Sequence, residues 1–192
     1  MEIKLIQATP EPIKKIADIA SICYGKEDAR EPKKLVKRLL RLGHHSVFEH
    51  IYFTWEIKGI SRACLAQLTR HRHASFTVRS QRYCNESEQG FVIPDAIEDN
   101  DTAYIDWLDA QAEIKGAYNS LISKGVKRED ARFILPQATE TDLYMSCNLR
   151  ELLHIYKLRS SKAAQWEIRE LVNEMVKLVV EHSPELGFMF DA

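Results

Sequence analysis

Residues 50–83 read HIYFTWEIKGISRACLAQLTRHRHASFTVRSQRY, and the character of the chain changes twice within them. Ile51, Phe53, Trp55 and Ile57 alternate with Tyr52, Thr54 and Glu56, which is the period of a half-buried strand. Ser61 then supplies an N-cap for a short helix running to about Thr69. On that helix Gln67, Arg70 and His71 would share one polar face at i, i+3 and i+4. From Arg70 onward charge takes over: RHRHASFTVRSQRY, residues 70–83, holds five arginines and histidines in its first ten positions and no acid.

Working outward, the same two periods recur. Upstream, I-K-L-I suggests a short strand, and Thr9-Pro10-Glu11-Pro12 caps a helix with Ile13, Ile16, Ala17 and Ala20 on one side. A second helix after Glu31-Pro32 buries Leu35, Val36, Leu39, Leu40 and Leu42, with Gly43 as its left-handed C-terminal cap. Downstream, Tyr104 to Ser123 reads as a long amphipathic helix, and Arg128 to Leu135 as a short one stopped by Pro136. Thr139 to Cys147 alternates as a strand does. Two helices close the chain, the last carrying Ile168, Leu171, Val172, Met175, Leu178 and Val179 at helical period. The fold class is α+β: one helix-rich domain, residues 1–192, with a small sheet.

Bulk properties narrow the function. A chain of 192 residues that is 45% hydrophobic can bury one substantial core. Its formal net charge of −1 argues against coating nucleic acid or an acidic membrane, so any basic site is local. Four cysteines, Cys23, Cys64, Cys84 and Cys147, form no C-x-x-C pair, and reduced, buried thiols are the expectation. With no signal-peptide core and no apolar run long enough to span a bilayer, we expect a cytoplasmic location and no membrane partner.

Between Ile57 and Asn85 stand Lys58, Arg62, Arg70, Arg72, Arg79 and Arg82 without an Asp or Glu. Arginine presents a planar fork that matches phosphate, and Ser75, Thr77 and Ser80 supply hydroxyls. If Ser80 to Tyr83 is extended, Ser80 and Arg82 point to the same side and one phosphate takes both. Glycine-rich phosphate loops are absent, so side chains must hold the anion.

Two further chemistries are weighed on the residues. GHHSVFEH places His44, His45, Glu49 and His50 within one short turn, but the spacing fits no helical metal pair, and no metal is expected. Ser80 lacks a G-x-S-x-G elbow and Cys84 has no adjacent base, which disfavours covalent catalysis. Residue chemistry alone leads to phosphorylated, aromatic small molecules or RNA.

Arg70-His71-Arg72, seven residues, then Ser80 resembles the R-H-R-x₇-S signature of the flavin-dependent thymidylate synthases. GHHSVFEH resembles that family's G-H-x-S-x-F-E-H segment. ARFILP and LRSSKAAQWEIRELV are similar to its A-R-x-x-L-P and L-R-x-x-x-x-A-Q-W-E-I-R blocks, in the same order. The resemblance implies an α+β subunit with a small, mostly antiparallel sheet, assembled as a homotetramer with active sites between chains. It implies methylation of dUMP to dTMP with methylenetetrahydrofolate and FAD, reduced by NADPH, and no nucleic-acid partner.

Residue by residue, the resemblance assigns Ser46, His50, Arg70, His71, Arg72, Asn148 and His154 to FAD. It assigns Gln67, Arg70, Ser80, Gln81, Arg82, Arg132 and Arg159 to dUMP, with Arg159 catalytic beside the uracil ring. Thr77-Val78-Arg79 departs from the family, which often has Glu or Gln before Leu-Ser, and Ala163 stands where many relatives carry histidine. The chain has no Pro-Cys dipeptide, so Cys84 and Cys147 are expected to be structural.

Overall fold

The computed structural model describes residues 1–25 and 30–191. In chain order its elements are β1 (Glu2–Ala8), α1 (Pro12–Ile22), α2 (Pro32–Arg41), β2 (Tyr52–Ser61), α3 (Arg62–Leu68), β3 (Ala74–Val78), α4 (Asp95–Glu98), α5 (Asp101–Ser123), α6 (Arg128–Ala131), β4 (Glu140–Asn148), α7 (Leu149–Arg159) and α8 (Trp166–His182). Short 3₁₀ turns cover His45–His50, Arg132–Ile134 and Pro184–Met189. The strands form one antiparallel sheet in the order β1-β2-β4-β3. The fold is therefore helix-rich α+β.

The described residues form two compact units. The first comprises residues 2–57, 68–76 and 144–192. Ile51, Phe53, Trp55 and Ile57 are fully buried, as their alternation requires, together with Met145 of β4 and Phe48. Helix α8 lies on β1 and on α7. It buries Ile168, Leu171, Val172, Met175 and Val179, while Leu178 at the edge of the stripe is half-buried.

Helix α1 buries Ile13, Ile16, Ala17 and Ala20 and packs on α2. Its start differs from expectation. Pro12 occupies the first turn, where its missing N–H costs nothing, but Glu11 is left-handed at φ 47° and gives no side-chain cap. Thr9 is committed elsewhere: its hydroxyl accepts the Tyr52 N–H at 2.9 Å and holds β1 against β2. In α2 only Val36 and Leu39 are fully buried. Leu35 and Leu40 are half-buried, and Leu42 is 52% exposed because it follows the last helical turn. Gly43, at φ 75°, is the left-handed residue that ends the helix.

The second unit comprises Met1 and residues 58–67 and 77–143. Ser61 Oγ accepts the Cys64 N–H at 2.9 Å and caps α3, whose first N–H groups reach the carbonyls of Thr139 and Gln137. Helix α3 stops at Leu68, so Arg70 and His71 lie beyond it and share no helical face with Gln67. Asn100 caps α5, accepting from Ala103 N at 3.2 Å. Along α5 only Tyr118 is fully buried, whereas Ile105 and Leu108 are exposed. The basic stretch contains a strand that its composition conceals, β3. Ser80 to Tyr83 is not extended; the Ser80 carbonyl accepts from Tyr83 N and Cys84 N and closes a turn.

Candidate active site

In the first unit, α7 begins where β4 ends, so Asn148 is both the last strand residue and the helix N-cap. Its side-chain oxygen accepts the Glu151 N–H at 2.9 Å. The helical period then places Glu151, His154 or Ile155, and Arg159 along one side of α7.

That side meets the R-H-R segment. His71 is 5% exposed, and its Nε2 accepts the Nε–H of Arg159 at 3.0 Å. The ring of His154 stands edge-on to it, centroids 6.1 Å apart. Burial, then the positive charge of Arg159, then His154, push the His71 pKa down to about 4. His71 is therefore a neutral acceptor at physiological pH.

Arg70 and Arg72, on either side of His71, are exposed, and among the described residues neither meets an acid. They provide two uncommitted guanidinium forks beside a buried ring. Ser46 and His50 are exposed within the 3₁₀ turn. Among the described residues no group of three or more His, Cys, Asp or Glu side chains is placed to hold a metal ion. The histidine-rich turn shows how its side chains are used instead: His45 stacks on Phe48 at 5.5 Å, and Glu49 pairs with Arg150.

In the second unit the arginines are organised by acids that lie elsewhere in the sequence. Arg79 donates from Nε to Oε1 of the buried Glu86 at 3.3 Å and from its terminal nitrogen to the Asn85 carbonyl. The extra base of the signature is thus tied inward. Arg62, half-buried, donates to the Arg79 carbonyl at 3.0 Å, and burial lowers its pKa.

Arg82 donates to Glu129 Oε2 at 3.2 Å and lies over the Tyr83 ring. Arg132 donates to the Glu129 carbonyl at 3.1 Å. Glu129 therefore gathers Arg82 and Arg132, and a cavity of about 430 Å³ opens among Arg82, Tyr83, Val126, Lys127 and Glu129. Ser80 and Gln81 are half-buried at the turn, and Ser80 Oγ accepts the Arg82 N–H at 3.3 Å. Gln67 is half-buried on α3.

The four cysteines are free. Cys64 and Cys147 are buried, Cys84 is partly covered, and Cys23 is exposed, against the expectation of uniform burial. Burial, then the Glu151 charge, push the Cys147 thiol up, so it stays protonated and inert.

A family model described as thymidylate synthase complementing protein matches residues 4–185. The chain belongs to the flavin-dependent thymidylate synthase family. It is 40% identical to the flavin-dependent thymidylate synthase of Geobacter sulfurreducens, over 97% of this chain and 85% of that one. It is also 40% identical to that of Pyrococcus furiosus, over 92% and 78%. Among solved structures it is similar to thymidylate synthase X from Helicobacter pylori with FAD and dUMP. That match has a TM-score of 0.82 and 25% identity, and covers 100% of both chains. A UMP/dUMP methylase from Streptomyces cacaoi, bound with 5-bromo-dUMP, matches with TM-score 0.88 and 26% identity over 98% and 93%.

Within this flavin-dependent thymidylate synthase chain, three acids escaped the sequence reading: Glu86, Glu129 and Glu151. Only two left a local signal. Glu129 stands three residues before Arg132, and Glu151 three after Asn148, the spacing of a capping box.

Proposed function

We propose that this protein catalyses the reductive methylation of dUMP to dTMP, with methylenetetrahydrofolate as carbon donor and FAD, reduced by NADPH, as hydride carrier. The observation that carries this reading is the hydrogen bond between Arg159 and His71. It joins the R-H-R block to the L-R block, 88 residues away, in a chain whose family is established.

The donor set suits a flavin dinucleotide. Arg70 and Arg72 offer uncommitted cations for a diphosphate, Ser46 and His50 offer exposed polar groups, and neutral His71 can face a ring without repelling it. Asn148, with its oxygen used as a cap, keeps its amide N–H groups for a ligand, and His154 stands beside His71. When bound, FAD supplies hydride transfer and carries the carbon unit.

The remaining tasks fall to side chains. Ser80, Gln81, Arg82 and Arg132, with Gln67 and Arg70, bind the phosphate and sugar of dUMP. Arg82 and Arg132 reach it from their places on Glu129. Arg159 keeps a fixed cation at a uracil carbonyl, where enolate-type charge grows as C5 forms its new bond. Its Nε–H is held by the neutral His71 ring, which fixes the plane of the guanidinium.

The whole chain acts as one functional domain in the cytoplasm. Among the described residues no helix is long and apolar enough to cross a membrane. It works as a homotetramer with active sites between subunits. The apolar residues Ile105, Leu108, Phe133 and Ile134, exposed on α5 and the neighbouring 3₁₀ turn, support burial against further copies.

Spectroscopy and turnover test the proposal together. Purified protein should bind FAD, dUMP should perturb the flavin spectrum, and dTMP should form when NADPH and methylenetetrahydrofolate are added. Protein that binds neither ligand and makes no dTMP overturns it.

A further inference from the structure

Glu151 has no task in the reaction as described, yet its carboxylate lies beside the His71 ring. It is 7% exposed. Its Oε1 lies 3.7 Å from Nδ1 of His71, on the far side of the ring from Arg159. A guanidinium can only donate, so the Nε2 that accepts from Arg159 carries the lone pair, and the ring proton resides on Nδ1. The nitrogen that bears it is 3.7 Å from the carboxylate oxygen, beyond a hydrogen bond but within range of charge–dipole attraction. The ring is neutral, so this approach is charge to N–H dipole and not an ion pair.

The alternative tautomer is opposed at both ends. A proton on Nε2 would meet the Arg159 N–H, donor against donor, and a lone pair on Nδ1 would meet a carboxylate oxygen. Glu151 is itself held firmly, since its backbone N–H is bound by the Asn148 side chain and its position on α7 is fixed by helix geometry. The nearby Cys147 thiol stays protonated and brings no competing charge.

We propose that Glu151 is a positioning residue: its carboxylate holds His71 in the Nδ1–H tautomer and so fixes the direction of the Arg159 guanidinium. The inference rests on the reading of Arg159 as the cation beside the pyrimidine. Loss of the carboxylate frees the ring to turn or exchange tautomers, and the Arg159 Nε–H loses a rigid acceptor. Misplacement of this kind lowers turnover more than substrate binding.

The test compares wild type, Glu151→Gln and Glu151→Leu by two readouts. Two-bond ¹H–¹⁵N spectra of ¹⁵N-histidine protein, assigned with His71→Asn, report the His71 tautomer. Steady-state dTMP formation reports kcat and KM for dUMP. Glutamine keeps an acceptor oxygen and should retain both the Nδ1–H tautomer and most of kcat. Leucine should give mixed tautomers and lower kcat roughly 10- to 100-fold, with KM for dUMP little changed.

A folded Glu151→Leu protein with wild-type tautomer and kcat overturns the inference. Should that variant not fold, Glu151→Ala is read in the same way. A wild-type protein that makes no dTMP refutes the proposed reaction instead, and the tautomer spectra still decide whether Glu151 governs His71.

Discussion

Arg159 and His71 are joined by one hydrogen bond, Nε–H to Nε2 at 3.0 Å, and that bond requires the imidazole to be neutral. The His71 pKa of about 4 lies below its ordinary 6.5, from burial first and the Arg159 charge second. Between those values the unfolded chain binds a proton that the folded ring refuses. The contribution to stability is thus complete above pH 6.5 and is lost as pH falls toward 4, on the order of 3 kcal/mol. Urea denaturation at pH 7.5 and 4.5 should show a shallower loss for His71→Gln than for wild type.

Arg159→Ala should lower dTMP formation by roughly 100-fold or more while FAD still binds. Arg159→Lys should not restore it, because an ammonium has no Nε–H fork to serve His71 and the substrate together. Single-turnover assays, with flavin content measured by absorbance, check both outcomes.

Glu86 has a fully buried side chain, and its ion-pair partner is Arg79 at 3.3 Å. Removing Arg79 leaves a buried charge in need of compensation, so Arg79→Met should cost about 3 kcal/mol. The double variant Arg79→Met with Glu86→Leu should recover most of that loss. Chemical denaturation of the three variants measures it, and additive losses would show the pair to be uncoupled.

Asn148 serves α7 as a cap, and in the proposed site also serves the flavin. Asn148→Ala should cost about 1 kcal/mol of stability through the lost cap. Asn148→Asp keeps an acceptor for the Glu151 N–H but offers no amide N–H, so it should be stable and bind FAD weakly. Thermal melts and flavin titration separate the two roles.

Phe133 is 81% exposed beside its neighbour Ile134. In the proposed tetramer these rings and alkyl groups are covered. Phe133→Ser should leave the fold intact and shift the mass measured by light scattering toward smaller species, while the wild-type chain should run as four copies.

Much of this was legible in the primary structure where local physics decides. The Ile51 to Ile57 alternation, the Ser61 cap, Gly43 as helix terminator and the stripe on α8 each follow from a backbone period or a φ requirement within a few residues. The R-H-R, A-R-x-x-L-P and A-Q-W-E-I-R blocks likewise placed the chain in its family. What escaped was the end of α3 at Leu68, the strand within the basic stretch, and the turn at Ser80. Each is set by what the segment packs and bonds against.

The residues alone determined which side chains this protein has for gripping phosphates and where most of its helices and its periodic strands run, since period and capping act over one or two turns. Only the folded chain decided that Arg79 is spent on Glu86, that Arg82 and Arg132 share Glu129, and that His71 stands neutral between Glu151 and Arg159. Charge and burial are properties of surroundings, and several of those surroundings come from residues distant along the chain.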